Sequence, residues 1–418
     1  RLAEEAGVGA PAGENSTEVL AYGVVLVVAA LATWVFGFWV RRGAVRAGAV
    51  VLPDERHVHV TPTPTAGGTA MFGAVLLAMF VASRLPQFDD AFESSEPLGV
   101  VLAAAVMYLV GLVDDLREVS APAKLAGQVL AGSVLSFLGV TMFYFRVPFL
   151  DIVSISPDLA PLLTVLWVVA IANAVNLIDG LDGLAAGIVA IAAGAFFVYG
   201  DRLSSAGLLP PDNVGPLVAV IVCGVCLGFL PHNFHPARMF MGDAGSLLLG
   251  LLMAASTMVV GGRTADQFSG QTYFFFAPIF IPLFVLGVPI VDTLFAILRR
   301  SVRRTRLSAP DKEHLHHRLM RLGHGHRRSV VILWAWTAIL SGIVLFPTFT
   351  NEGNAAIPFA GAGLVVALYT LFHPGVRQKA EADAEARADA DQAGAGAPAA
   401  PLAEVVDLAD RRREAEGS

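Results

Sequence analysis

Long apolar segments alternate with short polar ones along almost the whole chain. A helix crosses a bilayer with about 20 predominantly apolar residues, and segments of about 17 are still long enough. The pattern therefore predicts an all-α polytopic membrane protein with about eleven transmembrane helices. The predicted spans cover residues 18–40, 67–84, 97–113, 122–142, 160–176, 184–200, 214–230, 245–261, 273–298, 329–347 and 355–373.

Composition agrees with a membrane protein, and it divides the chain into three parts. Of the 418 residues, 55% are hydrophobic and only 15% are charged, whereas about 25% charge is usual in soluble domains. We predict an external N-terminal segment (1–17), a transmembrane domain (18–373) and a disordered cytoplasmic tail (374–418) rich in Ala, Asp, Glu and Gly. Cys223 and Cys226 lie inside an apolar segment and are predicted to be buried and structural.

The distribution of basic residues predicts how the helices are oriented. If successive loops alternate between the two sides of the membrane, one side has 17 Lys and Arg and the other has four. Cytoplasmic loops are enriched in these residues, so the N-terminus is predicted to lie outside. The loops assigned to the cytoplasm are 41–66, 114–124, 173–183, 231–245 and 299–328.

Clusters of Asp, Asn and His lie in four of the cytoplasmic loops. They are VDDLREVSAPAK (113–124), NAVNLIDGLDG (173–183), HNFHPARMFMGDAGS (232–246) and DKEHLHHRLMRLGHGHRR (311–328). One active site on the cytoplasmic face is the simplest interpretation. A secondary transporter is the alternative from another functional class. It would place ionisable groups near the membrane midplane, however, and the predicted spans contain almost none.

Small polar residues follow the fifth span at a spacing of three. They are Asn173, Asn176, Asp179 and Asp182. Each step of three turns an α-helix by about 300°, so the positions drift by roughly 60° and cannot all share one face. Helix capping, the structural alternative, needs only one such residue. Oxygen ligands of this kind suit Mg²⁺.

Carboxylates also flank the third and eighth spans. Asp114 and Asp115 end the third span and could share a divalent cation or face a cationic group such as Lys124. A solvated helix end is the alternative. Asp243 lies just before the eighth span, where a nearby helix N-terminus could bind a phosphate and the carboxylate could hold a Mg²⁺ ion that bridges to it.

The last cytoplasmic loop combines histidines with ten Lys and Arg. Phosphate binding suits this excess of positive charge better than a zinc site, whose usual spacing is missing. Membrane-surface charge is the alternative for the arginines. The candidate residues are His314, His316, His317 and Arg318, and His324 and His326 are weaker candidates.

Groups for Mg²⁺ and for phosphates at one membrane surface indicate phosphoryl transfer, which depends on positioning and charge neutralisation. The chain has no Walker loop, which argues against an ATPase. The four polar segments, in consistent order between about residues 54 and 328, resemble the signatures of the polyprenyl-phosphate N-acetylhexosamine-1-phosphate transferases. HVHVTPTPTAGG (57–68) also resembles a signature of this family.

The resemblance implies that a polyprenyl phosphate, undecaprenyl or decaprenyl, attacks the β-phosphorus of a UDP-sugar and that UMP leaves. It implies Mg²⁺ as the cofactor, with Mn²⁺ as an alternative ion, and a multi-pass protein of the bacterial cytoplasmic membrane. The product would start a cell-envelope polymer such as lipopolysaccharide, teichoic acid or arabinogalactan. No nucleic-acid partner is expected, and a homodimer is one expected assembly.

The resemblance also implies roles for individual residues. Asp243 would bind Mg²⁺ with Asn176 and Asp179 beside it. Asp182 would contact the uracil, on which Phe240 would stack. Asn173 and Asn233 would lie near the substrate. Lys124, with Asp114 and Asp115, would hold the lipid phosphate. His314, His316, His317 and Arg318 would bind the diphosphate or sugar.

Two points of the reaction follow from the chemistry and from one departure in sequence. A phosphate monoester has a second pKa of about 6, so the lipid phosphate is mostly dianionic at neutral pH. Positioning is therefore favoured for Asp114 and Asp115 over base catalysis, which remains an alternative. In the family that the chain resembles, the relatives that transfer muramoyl-pentapeptide have a triple-His motif. Leu315 changes this motif to H-L-H-H, so the resemblance implies UDP-GlcNAc as the donor. Phospho-N-acetylmuramoyl-pentapeptide transferase is the alternative within the class.

Overall fold

A helix lies at every predicted span that falls within the described residues. The computed structural model describes residues 12–47, 50–51, 63–117, 119–147, 151–261, 326–350 and 357–372. The predicted ninth span (273–298), the first eleven residues and the predicted tail (374–418) lie outside them, as do residues 314–318.

The described chain consists of long helices and two short antiparallel hairpins. The helices are α1 (Ala12–Ala47), α2 (Gly67–Ala82), α3 (Asp89–Glu93), α4 (Glu96–Leu116), α5 (Ala121–Phe137), α6 (Ala160–Ile178), α7 (Leu184–Ser205), α8 (Gly215–Asn233), α9 (Gly242–Gly261), α10 (His326–Thr350) and α11 (Ile357–Phe372). A 3-10 helix covers Pro86–Phe88. The strands are β1 (Val50–Val51) with β2 (Thr63–Pro64), and β3 (Tyr144–Val147) with β4 (Asp151–Ser154).

Among the described residues, six helices are long and apolar enough to cross a membrane. They are Thr17–Arg46 of α1, α4, α6, α7, α8 and Gly242–Val260 of α9. Helix α2 joins Pro86–Glu93 through a 96° bend and would make a seventh span if the bent pair is counted as one. A helical, multi-pass membrane protein is thus confirmed, whereas the total of eleven spans stays a prediction.

Proline marks the start of four helices. Pro97, Pro122, Pro161 and Pro216 lie in the first turns of α4, α5, α6 and α8. The first turn leaves its N–H groups without helical partners, so proline loses nothing there and its fixed φ favours the helix. These prolines explain why the starts of the four helices agree with the sequence prediction to within one residue.

Helix α9 is the centre of the bundle and is almost entirely buried, with α2, α4, α6 and α8 packed around it. Small residues permit this close packing. A Cβ atom added at Gly68 or Gly111 would lie 2.4 Å from the backbone at the start of α9. One added at Gly250 would lie 2.5 Å from Cα of Ala172 in α6. The first turn of α9 is therefore held by the backbones of its neighbours.

We expect Gly111→Ala to lower the Tm and the activity together. The new methyl group would meet the backbone N and Cα of Ala244 at 2.4 Å, so α4 and α9 must separate, at a cost of about 1–3 kcal/mol. Gly23→Ala in α1 is the matched control, because nothing lies within 4 Å of its added Cβ. The Tm of the purified variants in detergent checks this, and equal values for both would contradict the close packing.

Candidate active site

Ends of six consecutive helices meet at one end of the bundle. The chain runs up and down through α4 to α9, so the C-termini of α4, α6 and α8 lie beside the N-termini of α5, α7 and α9. Most of the polar residues singled out from the sequence lie at these ends. They are Asp114 and Asp115 (α4), Lys124 (α5), Asn176 (α6), Asp179 (directly after α6), Asp182 (before α7), Asn233 (α8) and Asp243 (α9).

Asp115 caps the N-terminus of α9 from the neighbouring helix. Its Oδ1 accepts the backbone N–H of Asp243 at 2.8 Å, and its Oδ2 accepts that of Ala244 at 3.0 Å. The first N–H groups of a helix have no helical partners, and a negative charge there also favours the helix dipole. Helix α9 consequently begins at Gly242, three residues before the start of the predicted span at residue 245.

Gly242 makes this capping possible. Its φ is +69°, a conformation that glycine adopts readily and other residues rarely do. A Cβ atom at this position would lie 2.4 Å from Oδ2 of Asp115. Gly242 therefore allows the carboxylate of Asp115 to come close to the start of α9. That carboxylate in turn fixes the backbone of Asp243.

Lys124 links two of the carboxylates. Its Nζ donates to Oδ2 of Asp114 at 2.9 Å and also to Oδ2 of Asp243. The other oxygen of Asp114 accepts the backbone N–H of Val119 at 2.8 Å. The side chains of Lys124, Asp114 and Asp243 are 18%, 17% and 29% exposed, so a ligand arriving from solution can reach all three.

Asn176 fixes the other side of Asp243. Its Nδ2 donates to Oδ1 of Asp243 at 2.7 Å and to Oγ of Ser246 at 2.8 Å. Ser246, which is buried, donates in turn to the backbone carbonyl of Gly242 at 3.0 Å. Both oxygens of Asp243 are thus oriented by neighbours from α5 and α6.

Asp179 adds a further carboxyl group where α6 ends. Burial, followed by the charges of three nearby carboxylates, raises its pKa to about 8; these neighbours are Asp243, Asp115 and Asp182. Four carboxyl groups of the described residues (Asp114, Asp115, Asp179, Asp243) thus lie near one another, and Lys124 is bonded to two of them, Asp114 and Asp243. Clustered carboxylates with amide oxygen nearby match the hard-oxygen chemistry that Mg²⁺ prefers, so these residues fit a magnesium ion.

A loop from α8 to α9 forms the side of the site beside α7. Oδ1 of Asn233 accepts the backbone N–H of Gly183 at 2.9 Å, and its Nδ2 donates to the carbonyl of Met239 at 3.1 Å. Asn233 therefore ties the start of α7 to this loop. The backbone of Phe240 forms a bridge with Thr65, and its N–H donates to the carbonyl of Pro64.

Asp182 lies against the same loop. Its Oδ2 lies 2.7 Å from Nδ1 of His235, with which it forms a hydrogen bond, and it accepts the backbone N–H of Ala237 at 3.0 Å. The ring of His235 stacks on His326 at the start of α10, with the centroids 4.2 Å apart. His235 was missed by sequence reasoning, and its position beside Asn233 in the HNFHP segment was the available signal.

Three predicted residues need a different description. Asn173 bonds to Gln128 of α5, at 2.6 and 3.3 Å, and to the carbonyl of Val169, so it joins two helices. Asn233 binds backbone groups with both ends of its amide. Both oxygens of Asp115 accept backbone N–H groups of α9, so Asp115 is a helix cap in this structure. Residues His314, His316, His317 and Arg318 lie outside the described residues.

Comparison with known proteins identifies the family. A model described as glycosyl transferase family 4 matches residues 97–261, the stretch that contains every site residue from Asp114 to Asp243. The decaprenyl-phosphate N-acetylglucosaminephosphotransferase of Mycolicibacterium smegmatis is 40% identical over 367 residues, which are 85% of this chain and 89% of that protein.

Two other relatives show the breadth of the similarity. The probable undecaprenyl-phosphate N-acetylglucosaminyl 1-phosphate transferase of Bacillus subtilis is 36% identical over 77% of this chain and 84% of that protein. The phospho-N-acetylmuramoyl-pentapeptide-transferase of Desulforudis audaxviator is 34% identical over 68% of this chain and 84% of that protein. The chain belongs to glycosyl transferase family 4.

Proposed function

We propose that this protein transfers N-acetylglucosamine-1-phosphate from UDP-GlcNAc to a polyprenyl phosphate and releases UMP. The observation that supports it best is the meeting of Asp114, Lys124, Asn176, Asp179 and Asp243 at one end of a helical membrane bundle. Relatives named for N-acetylglucosamine transfer to decaprenyl or undecaprenyl phosphate share 36–40% of their residues with this chain over most of its length.

Magnesium is the proposed cofactor, and Mn²⁺ an alternative. Asp243, Asn176 and Asp179 would hold the ion. When bound, it would neutralise the diphosphate of the sugar nucleotide, which is its usual contribution to phosphoryl transfer. The protein's own part is to fix Asp243 through the Asn176 amide, the Lys124 ammonium and the first turn of α9.

Lys124 is the proposed contact for the lipid phosphate. Its ammonium lies between Asp114 and Asp243, so a phosphate drawn to Lys124 would arrive beside the proposed metal site. The attacking oxygen then needs orientation rather than a base, since a phosphate monoester is mostly dianionic at neutral pH. Asp114 orients Lys124, and Asp115 acts through the cap on α9.

The nucleotide is proposed to bind on the side formed by Asp182 and Phe240, which would contact and stack on the uracil. Asn233 would support this contact by holding the loop rather than by touching the base. His314, His316, His317 and Arg318 are proposed to bind the diphosphate or the sugar. We also propose that this end of the bundle faces the cytoplasm of a bacterial cell, with the N-terminus outside, as the excess of basic loop residues predicts.

The choice between two sugar donors is tested by UMP release. Purified protein with polyprenyl phosphate and Mg²⁺ is expected to release UMP from UDP-GlcNAc and not from UDP-MurNAc-pentapeptide. The names of the relatives and the H-L-H-H sequence at 314–317 both favour the first donor. Turnover of only the second would make the protein a phospho-N-acetylmuramoyl-pentapeptide transferase. Turnover of neither, with binding of an unrelated solute, would favour a transporter.

A further inference from the structure

The hydrogen bond between His235 and Asp182 determines which ring nitrogen bears a proton. Oδ2 of Asp182 lies 2.7 Å from Nδ1 of His235, and an ionised carboxylate can only accept hydrogen bonds. Nδ1 must therefore be the protonated nitrogen. Together with the N–H of Ala237, it occupies Oδ2, and Oδ1, which accepts no hydrogen bond from the described residues, is left to meet a donor on a ligand.

The start of α10 holds His235 in this orientation. The ring of His326 lies nearly parallel to that of His235, at an angle of 20° and a centroid distance of 4.2 Å. Nε of Arg327 donates to the backbone carbonyl of His235 at 3.2 Å. Both ring nitrogens of His326 are buried, and His326 also lies close to Asp182. The face of the His326 ring packs against His235.

We propose that His235 is a positioning residue for nucleobase recognition, which it serves by orienting Asp182. The proposal rests on the proposed function, because it takes the ligand to be a uridine nucleotide. Uracil presents an N3–H donor, which suits the second oxygen of an oriented carboxylate, whereas cytosine has an acceptor at N3. A carboxylate fixed by two donors also loses less freedom when it binds the base.

Binding of a metal ion is the alternative explanation for the arrangement of Asp182, His235 and His326. One ligand atom from each of Asp182, His235 and His326 lies within 4.8 Å of the others. A metal, however, binds in the ring plane along the nitrogen lone pair. Two nearly parallel rings 4.2 Å apart direct these lone pairs side by side rather than toward one point. The stacked arrangement favours the hydrogen bond from His235 to Asp182.

The test is a series of substitutions at His235. Asparagine places its Nδ2 close to where Nδ1 of histidine lies, whereas the amide of glutamine lies one bond farther out. We expect His235→Ala and His235→Gln to raise the KM for UDP-GlcNAc and the Kd for UMP about tenfold or more, on the scale of a hydrogen bond to a charged group. His235→Asn should restore both to within about threefold of the wild type, on the same scale.

The kcat and the KM for the lipid phosphate should change little in all three variants, because the base contact is the same in the ground state and the transition state. A second readout is a double-mutant cycle with Asp182→Asn. In the Asp182→Asn protein, adding His235→Ala should not change the Kd for UMP further. Additive effects would overturn the proposal, as would a series in which all three variants bind UMP like the wild type. Equal losses in all three, with a lowered Tm, would also overturn it.

His326→Phe separates stacking from metal binding. It keeps a ring against His235 and removes both of the nitrogens that could bind a metal. A stoichiometric transition metal in the purified wild type that this variant loses would overturn the proposal in favour of a metal site. Since UMP binding is measured without turnover, a protein that turns over no UDP-sugar would refute the proposed function alone. If the wild type turns over UDP-GlcNAc but all three His235 variants bind UMP as the wild type does, only the role of His235 is refuted.

Discussion

Replacing Asp243 by asparagine is expected to lower kcat/KM for UDP-GlcNAc by about 10³-fold or more. Losses of this size are typical when an active site loses a charged group that stabilises the transition state. Asp243 is the carboxylate that Lys124 and Asn176 both orient. Its loss would remove a proposed Mg²⁺ ligand and leave the Lys124 ammonium with one carboxylate fewer. Asparagine is nearly isosteric, so the fold should remain.

Asp158→Asn is the matched control for this substitution. Asp158 is exposed in the turn that precedes α6, at the end of that helix opposite to Asn176. The two variants should have similar Tm values, and only Asp243→Asn should lose UMP release across a range of Mg²⁺ concentrations. Retention of more than about a tenth of the wild-type kcat/KM would remove Asp243 from the metal site, given the magnitudes of such contacts.

Replacing Asp115 by asparagine is expected to lower stability and activity together. The introduced amide side chain would keep one acceptor, but its NH₂ group would face a backbone N–H at the start of α9. Loss of a helix cap costs about 0.5–2 kcal/mol, and an unpaired N–H adds to that cost. Because Asp243 is the second residue of α9, we expect a fall in kcat/KM of about 10²-fold with a reduced Tm.

Asp114→Asn is the comparison that isolates the cap. Asp114 is the neighbouring residue, but it binds Lys124 and the backbone N–H of Val119, whereas the backbone N–H groups at the start of α9 are bound by Asp115. This variant should therefore keep the wild-type Tm more closely than Asp115→Asn does. An Asp115→Asn protein with an unchanged Tm and no activity would mean that Asp115 acts directly on the substrate, as a base or a phosphate contact.

The helix positions could be predicted because two local signals agree. A membrane-spanning segment must be apolar along its whole length, and proline in the first turn marks where it begins. Helix α6 shows this well, since the predicted 160–176 corresponds to Ala160–Ile178. The β3–β4 hairpin was not predicted, because its strands are too short to be distinguished from a loop.

The meeting of the polar helix ends could also be inferred, since successive spans alternate in direction. The partners of individual side chains could not be inferred. Asp115 and Asp243 are 128 residues apart, and only the packing of α4 against α9 at Gly111 brings them together. Asn173 is the same residue type as Asn176 and lies three positions before it, but its side chain faces α5, where its Nδ2 donates to Oε1 of Gln128. Asn173 therefore joins two helices, whereas Asn176 contacts Asp243.

The most direct test follows the phosphorus atoms of the donor. UDP-GlcNAc labelled with ³²P at the β-phosphate is incubated with the protein, polyprenyl phosphate and Mg²⁺, and the lipid fraction is separated. Transfer of N-acetylglucosamine-1-phosphate predicts that the label enters the lipid in equal amount to the sugar and that the released nucleotide is unlabelled UMP. Label that stays in UDP while the sugar enters the lipid would contradict the account, because the sugar would then have been transferred without its phosphate.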